Sequence, residues 1–287
     1  SGDSTAVLPP FSITESMIKE IEDKSTTLAK ALGVKGLLNI QFAIKDDTLF
    51  ILEANPRASR TMPFVSKVTG NQIIKAGTLL MLGHSLDSIK KTTNYLNSST
   101  NKVAIKKAIF PWSRFPAEDT MLGPEMKATG EVLGIGRSFG VALNKAYAAA
   151  GVEINENEKG IFVSLSDQEK PNFIKIVKTY SDLGFKIYST YGTGEYLKNN
   201  DINSTIVGRA DETFPTSLTI LQDKLISLVI NTPTFANEYT DGWKIRRLSH
   251  ETGVAVVSSV REAEAFLKAF LETTKSFEDM EAIQNVS

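Results

Sequence analysis

Leu37-Leu38-Asn39-Ile40-Gln41-Phe42-Ala43-Ile44-Lys45-Asp46-Asp47-Thr48-Leu49-Phe50-Ile51-Leu52-Glu53-Ala54-Asn55 decides how this chain is read. Two apolar runs flank a short polar turn, which is the pattern of a β-hairpin. With residues 46–48 as the loop, Lys45 faces Leu49, and stepping outward sets Gln41 opposite Glu53. Side chains alternate along a strand, so Glu53, Asn55 and Arg57 are expected on one face, with Leu52 and Ala54 turned toward a core. A carboxylate, amides and a cation together are not how a core is built, because buried charge is costly unless paired. They suit Mg²⁺, a hard cation that takes oxygen ligands and leaves room for phosphates. Arg57, and Arg60 on the turn beyond, can hold a phosphoryl group or small anion by bidentate contacts. The residue types leave a second reading open: a wet sheet face carrying a Glu53–Arg57 ion pair.

Upstream, Ser12-Ile13-Thr14-Glu15 is a helix-start signal, and Met17, Ile18, Ile21, Leu28, Ala31 and Leu32 recur at helical spacing until Gly33. Downstream, a helix is expected over 72–82, a strand over 103–110 and a helix over 139–150. Gly134-x-Gly136 lacks the third glycine of a dinucleotide loop and reads as packing glycines before a helix. Residues 152–159 are acidic and polar and read as a linker. Beyond it, strands over 161–165, 185–189, 205–207, 226–230 and 254–257 alternate with helices near 171–183, 194–199, 217–224, 243–252 and 261–271. Five strand–helix units in a row predict a parallel, doubly wound α/β domain. The fold class is therefore mixed α/β and α+β, with one unit over 1–155 and a second over 156–287.

The second unit has its own anion signal. Ser189-Thr190-Tyr191-Gly192-Thr193-Gly194 follows a strand and precedes a helix, so backbone N–H groups, hydroxyls and the helix dipole converge. Lys170, Arg209 and Asn231-Thr232 also follow strands, at the sheet end where open α/β folds bind ligands. Ordinary capping, with Thr193 as N-cap and Gly192 as turn residue, is the competing reading.

The totals bound the function. The 287 residues carry 32 basic and 33 acidic side chains, a balance without the basic excess of a nucleic-acid surface. No run of about 18 apolar residues suggests a membrane span. No charged segment followed by an apolar one stands at the start of these residues, so a secretory signal is not expected from them. The absence of cysteine excludes disulfides, thiolate nucleophiles and Cys-based zinc sites and fits a cytoplasmic setting. His84 and His250 lie far apart and have no partner motif. The chain opens on Ser1-Gly2-Asp3-Ser4, as expected of a piece of a longer protein.

Glu53-Ala54-Asn55-Pro56-Arg57-Ala58-Ser59-Arg60-Thr61-Met62-Pro63-Phe64-Val65-Ser66-Lys67 resembles the metal-binding segment of the ATP-grasp domains of carbamoyl-phosphate synthase. Leu122-Gly123-Pro124-Glu125-Met126, Thr129-Gly130-Glu131-Val132 and the opening Ser1-Gly2-Asp3-Ser4 are similar to the second synthetase half of the same family. The resemblance implies the C-terminal portion of an ATP-grasp domain over nearly all of residues 1–150. By it, Gln41, Glu53 and Asn55 match ligands of Mg²⁺ or Mn²⁺, with Gln41 and Glu53 also at the ATP phosphates. Arg57 and Arg60 match catalytic residues that hold the anionic substrate while ATP phosphorylates carbamate. The adenine pocket, phosphate-covering loop and nucleotide-binding lysine of that family lie upstream of these residues, so this chain alone is expected not to turn over ATP. A glutaminase small subunit is the implied partner.

Thr190-x-Gly192-Thr193, Val229-Ile230-Asn231-Thr232-Pro233 and Ile245-Arg246-Arg247 resemble the methylglyoxal-synthase-like allosteric domain of that family. Ser164, Lys170, Thr190, Gly192, Thr193, Arg209, Asn231 and Thr232 fall where that family contacts an effector phosphate or nucleotide such as UMP or IMP. Arg209 stands where some members have Lys, and Pro233-Thr234 replace a Thr-rich continuation. Ornithine-activated relatives carry an acid near strand 104–110, where this chain has Lys106 and Lys107, so nucleotide control without ornithine activation is expected. Self-association into a homo-oligomer is left open, as is the pathway served, pyrimidine or arginine. A stand-alone nucleotide-binding regulatory module, or a piece of another ATP-grasp ligase, are the alternatives.

Overall fold

The computed structural model describes residues 2–95, 101–114, 120–122, 125–152, 160–209, 212, 215–232 and 240–273. Most of the expected linker, Gly123-Pro124 and Pro233-Thr234 lie outside these residues. Helix α1 (Glu15–Ala31) starts where the sequence places it, with the Thr14 hydroxyl accepting from Met17 N–H at 3.3 Å. The hairpin follows as β2 (Asn39–Lys45) and β3 (Thr48–Asn55). Helices α2 (Thr61–Thr69), α3 (Ile73–Met81) and α4 (Leu86–Thr92) come next; of these only α3 was expected.

Strand β1 (Ala6–Leu8) pairs antiparallel with β4 (Val103–Ile109), which pairs with β5 (Gly130–Gly136), giving a three-stranded sheet. One face of this sheet buries Ala104 against Phe64 and Val68 of α2. The other takes α5 (Phe139–Ala149), and glycine makes the approach close. A Cβ at Gly134 would stand 2.1 Å from Ala142 O and 2.5 Å from Ala146 N. The packing reading of Gly134 and Gly136 therefore holds, although the strand that contains them was not expected.

The second unit is the doubly wound sheet read from the sequence. Strands β6 (Gly160–Ser164), β7 (Lys186–Ser189), β8 (Thr205–Ile206), β9 (Leu228–Asn231) and β10 (Ala255–Val257) are all parallel, in the order β10-β9-β6-β7-β8. Helices α6 (Lys170–Asp182), α7 (Tyr191–Lys198), α8 (Ser217–Gln222), α9 (Asp241–Thr252) and α10 (Val260–Thr273) intervene. Strand alternation supplies two cores: Ile161, Val163, Ile187 and Ile230 face one way, and Phe162, Tyr188 and Val229 the other. The order reverses beside β6, the place in open α/β sheets where ligands bind at the C-terminal ends of the strands.

The two units share one core. Ile105 of β4 and Ala142, Leu143, Ala146 and Tyr147 of α5 belong to the same buried cluster as Phe173, Ile187 and Phe266. Tyr147 meets Phe266 edge-on with ring centroids 4.5 Å apart. A Cβ at Gly140 would stand 2.9 Å from Ala269 Cα, so α5 and α10 touch through small residues.

Candidate functional site

The hairpin brings Gln41 directly opposite Glu53, as expected, and Asn39 opposite Asn55. The route differs from the expected one. The loop is two residues, not three: Asp46 and Asp47 both take positive φ, 49° and 55°, and Lys45 pairs with Thr48. Two positive φ values in a two-residue loop match the twist of the flanking strands. A bulge then inserts Leu52 between the Phe42–Ile51 and Gln41–Glu53 pairs and restores the register by one residue.

Two expectations about this face are corrected. Leu52 does not reach a core; it is 59% exposed. It is the bulged residue of a sheet that has only two strands. Arg57 does not share a strand face with Glu53 and Asn55, because β3 ends at Asn55 and Arg57 N–H turns back onto Asn55 O at 2.8 Å. Its guanidinium donates to the adjacent Ala58 carbonyl at 2.9 Å. Among the described residues Glu53 has no ion-pair partner, so a Glu53–Arg57 pair does not form. Arg60 caps α2 and reaches across to Ala128 O, 3.1 Å from its Nη1.

The donors on this face fit a hard divalent cation. Gln41 and Glu53 are a direct cross-strand pair, which sets their Cβ atoms about 5 Å apart, and Asn55 follows two residues along the same strand. All three offer oxygen, only one is charged, and the face is open to solvent, so phosphates can complete the shell. Among the described residues no group of three His, Cys, Asp or Glu side chains could hold a metal.

In the second unit the C-terminal tips of β6, β7 and β9 bring most of the expected effector residues together. Ser164 ends β6 and pairs with Asn231 at the end of β9. Helix α7 begins at Tyr191 with Thr190 as N-cap, so Gly192 and Thr193 lie in its first turn, one turn earlier than expected. Thr190 Oγ1 lies 3.2 Å from Thr193 Oγ1. Lys170 opens α6, and its ammonium would stand 3.7 Å from a Cβ on Gly192. The ammonium thus lies over the start of α7, held by Asp167 at 2.6 Å. Arg209 follows β8 at the same end of the sheet, exposed, with its N–H donating to the Glu212 carboxylate at 3.0 Å.

Two of the hydroxyls also hold backbone. Thr193 Oγ1 accepts from Leu165 N–H at 3.0 Å, and Thr232 Oγ1 accepts from Ser166 N–H at 2.8 Å. Both fix the loop after β6; Thr193 keeps its hydroxyl proton for another acceptor, whereas Thr232 donates its own to Ser166 Oγ at 3.4 Å. Arg246, buried on α9, donates from Nη1 to Asn231 Oδ1 at 2.7 Å, which turns the Asn231 amide nitrogen toward Ser164 O at 3.4 Å. In the sequence Arg246 stands out only as part of the run Ile245-Arg246-Arg247; a buried arginine that faces a sheet tip has no local sequence signature.

The lysines of β4 are not open charges. Lys106 is buried and donates to Glu131 at 3.2 Å. Lys107 lies over the Tyr147 ring, 4.0 Å from its centroid, and faces Glu262 of α10. Glu262 also accepts hydrogen bonds from Ser258 N–H and the Tyr147 hydroxyl. Burial raises the carboxyl of Glu262 above its ordinary value, despite the opposing pull of Ser258, Lys107 and Tyr147. Burial lowers the Lys107 ammonium, against the attraction of Glu262. Tyr147 is raised, chiefly by burial and further by Glu262.

Residues 1–89 match the family described as the carbamoyl-phosphate synthase L chain, ATP binding domain, and residues 172–258 match the MGS-like domain. The chain is 37% identical over 292 residues to the carbamoyl phosphate synthase large chain, C-terminal section, of Aquifex aeolicus, covering 97% of this chain and 54% of that one. It is 37% identical over 286 residues to the corresponding C-terminal section of Methanocaldococcus jannaschii, covering 97% of this chain and 46% of that one. It is 40% identical over 278 residues to the carbamoyl phosphate synthase large chain of Archaeoglobus fulgidus, covering 96% of this chain and 25% of that one. The chain thus spans about half the length of the C-terminal sections it matches. Among the described residues no helix is long and apolar enough to cross a membrane.

Proposed function

We propose, on the premise that this chain belongs to the carbamoyl phosphate synthase large-chain family and aligns with its C-terminal part, that it pairs a nucleotide-effector domain with part of a phosphoryl-transfer site. Residues 156–287 bind the effector, and residues 1–155 supply the metal and substrate-anion end of an ATP-dependent ligase site. The observation that carries the effector reading is the Lys170 ammonium lying over Gly192 at the N-terminus of α7. A fixed cation, helix-end N–H groups and the neighbouring Thr190 and Thr193 hydroxyls are together there, the kind of donor set that holds a phosphate. The Asn231 amide, oriented by Arg246, stands at the tip of β9, beside β6 where the strand order reverses. Ser164, Thr232 and Arg209 lie at the same sheet end and complete the proposed set, with UMP or IMP as the effector class.

At the first site, the reaction proposed is phosphorylation of carbamate by ATP to give carbamoyl phosphate. Gln41, Glu53 and Asn55 would hold Mg²⁺ or Mn²⁺, which when bound neutralises charge on the ATP phosphates. Glu53 brings the single negative charge, and the two amides add neutral oxygens without raising repulsion toward phosphate. Arg57 and Arg60 hold the substrate anion by charge-assisted hydrogen bonds. Arg60 is steadied by Ala128 O, which leaves the rest of its fork for that anion. Phosphoryl transfer asks for positioning and electrostatics, and these residues offer both. A glutaminase small subunit delivering ammonia is the proposed partner.

The chain spans only part of its relatives, and the purified 287 residues are expected to bind effector but not to form carbamoyl phosphate from ATP, bicarbonate and ammonia. Calorimetry with UMP, IMP and inorganic phosphate tests the first half, and a coupled carbamoyl-phosphate assay the second. A chain that turns over ATP, or binds none of the three ligands, contradicts this reading.

A further inference from the structure

Helix α9 carries two buried arginines side by side, Arg246 and Arg247, each only a few per cent exposed. Buried guanidinium groups are costly unless partnered, and each has a specific acceptor. Arg246 grips Asn231 at the sheet tip. Arg247, about 100° around the helix, donates from Nη2 to Trp112 O at 2.7 Å and from Nε to Glu251 at 2.9 Å. Trp112 belongs to the first unit, in a short 3₁₀ turn (Trp112–Arg114) just after β4. The His250 ring lies 6.0 Å from the Trp112 ring, so α9 meets this residue twice.

The contacts continue from Trp112. Lys127 Nζ stands 5.8 Å from the centroid of the Trp112 ring. Lys127 and Ala128 both donate backbone N–H to the Asp3 carboxylate, at 2.7 and 2.9 Å. Ala128 returns its carbonyl to Arg60. An unbroken series of polar and ring contacts therefore runs from Asn231 through α9 to Arg60.

We infer that α9 is the coupling element between the two sites: Arg246 senses anion binding through Asn231, and Arg247 relays the resulting shift of the helix to Trp112 and the 126–128 segment that steadies Arg60. The inference rests on the effector reading above. Adjacency alone does not demonstrate coupling, so the test has to measure a response at the far end.

Trp112 is one of two tryptophans; the other, Trp243, lies in the first turn of α9. A Trp243→Phe variant of the full 287-residue chain makes Trp112 the sole emitter. It is titrated with inorganic phosphate and with UMP, following heat by calorimetry and emission in parallel. The expected result is a saturable change in Trp112 emission whose midpoint matches the calorimetric Kd, with altered amide exchange over residues 126–128. Adding Arg247→Met is expected to abolish the emission response while the affinity changes less than tenfold. If Arg247→Met does not fold, Arg247→Lys, which keeps the charge and loses the fork, is read by the same criteria. Binding with flat Trp112 emission, or a response that survives loss of the Arg247 fork, overturns the coupling and leaves the effector site standing. Absence of any binding heat overturns the effector reading and the coupling with it.

Discussion

Replacing Gly192 with alanine separates the fold of the second unit from its proposed function, because the two effects have opposite signs. An added Cβ would meet one atom within 4 Å, Lys170 Nζ at 3.7 Å, which is ordinary contact. Gly192 lies in the first turn of α7 with an ordinary negative-φ backbone, so alanine costs no strain there. Relieving the glycine should stabilise the helix by about 0.5–1 kcal/mol. At about 2–4 °C per kcal/mol in chains of this size, Tm rises by roughly 1–4 °C. A phosphate oxygen accepting from Lys170 would sit about 2.8 Å from Nζ, in the space the methyl enters. The anion then loses one charge-assisted bond to the helix end, worth about 1.5–3 kcal/mol. Affinity for UMP and phosphate should fall roughly 10- to 150-fold at 1.4 kcal/mol per decade. Calorimetry gives the affinity and a thermal melt gives the control. A variant with a raised Tm and unchanged affinity refutes the placement of the anion at Gly192.

Gly134→Ala, which drives a Cβ into the α5 backbone, should cost about 2–3 kcal/mol, whereas Gly130→Ala in the same strand, with nothing within 4 Å, should stay within about 0.5 kcal/mol; equal denaturation midpoints would contradict the close packing of α5. Lys107→Met or Glu262→Gln alone should destabilise by about 3–5 kcal/mol, and the double variant should be near neutral or more stable; a double variant as unstable as the sum of the singles would show no coupling across the seam. The pH dependence has two parts: the Glu262 contribution is fully present below pH 4.5 and lost as pH rises through its raised midpoint, and the Lys107 contribution is present above pH 10.5 and lost as pH falls through its lowered midpoint. Urea melts from pH 5 to 9 should therefore show slopes in the parent that vanish in the double variant. Ornithine should produce no thermal shift, because Lys107 itself occupies the face of Tyr147 and faces Glu262; a saturable shift with ornithine and none with UMP would reverse the effector assignment.

The sequence by itself determined what depends on neighbours along the chain. Short apolar strands alternating with amphipathic helices between 160 and 273 yielded all five strand–helix units, since apolar runs and helical periodicity are local properties. Gln41 was placed opposite Glu53, but through an incorrect three-residue loop whose error the bulge at Leu52 happens to cancel. Strands β1 and β5 and helices α2 and α4 were not legible, because short segments rich in glycine, proline or mixed residues take their form from what they pack on. Arg57 left the expected face for a similar reason: the strand ended at Asn55 in a tight turn centred on Pro56.

Only the tertiary structure decided which distant side chains meet. The 1–155 and 156–287 boundary looks like two independent units in composition, yet α5 is buried from both sides and joins them in one core. Lys106 and Lys107 read as exposed positive charge until Glu131, Tyr147 and Glu262 arrive from other elements. Arg246 and Arg247 are adjacent letters whose opposite destinations, Asn231 and Trp112, depend on how α9 lies between the sheet and the first unit. Periodicity specifies which face of an element is apolar; the rotation and approach of one element on another arise from packing the whole core, which no local window contains.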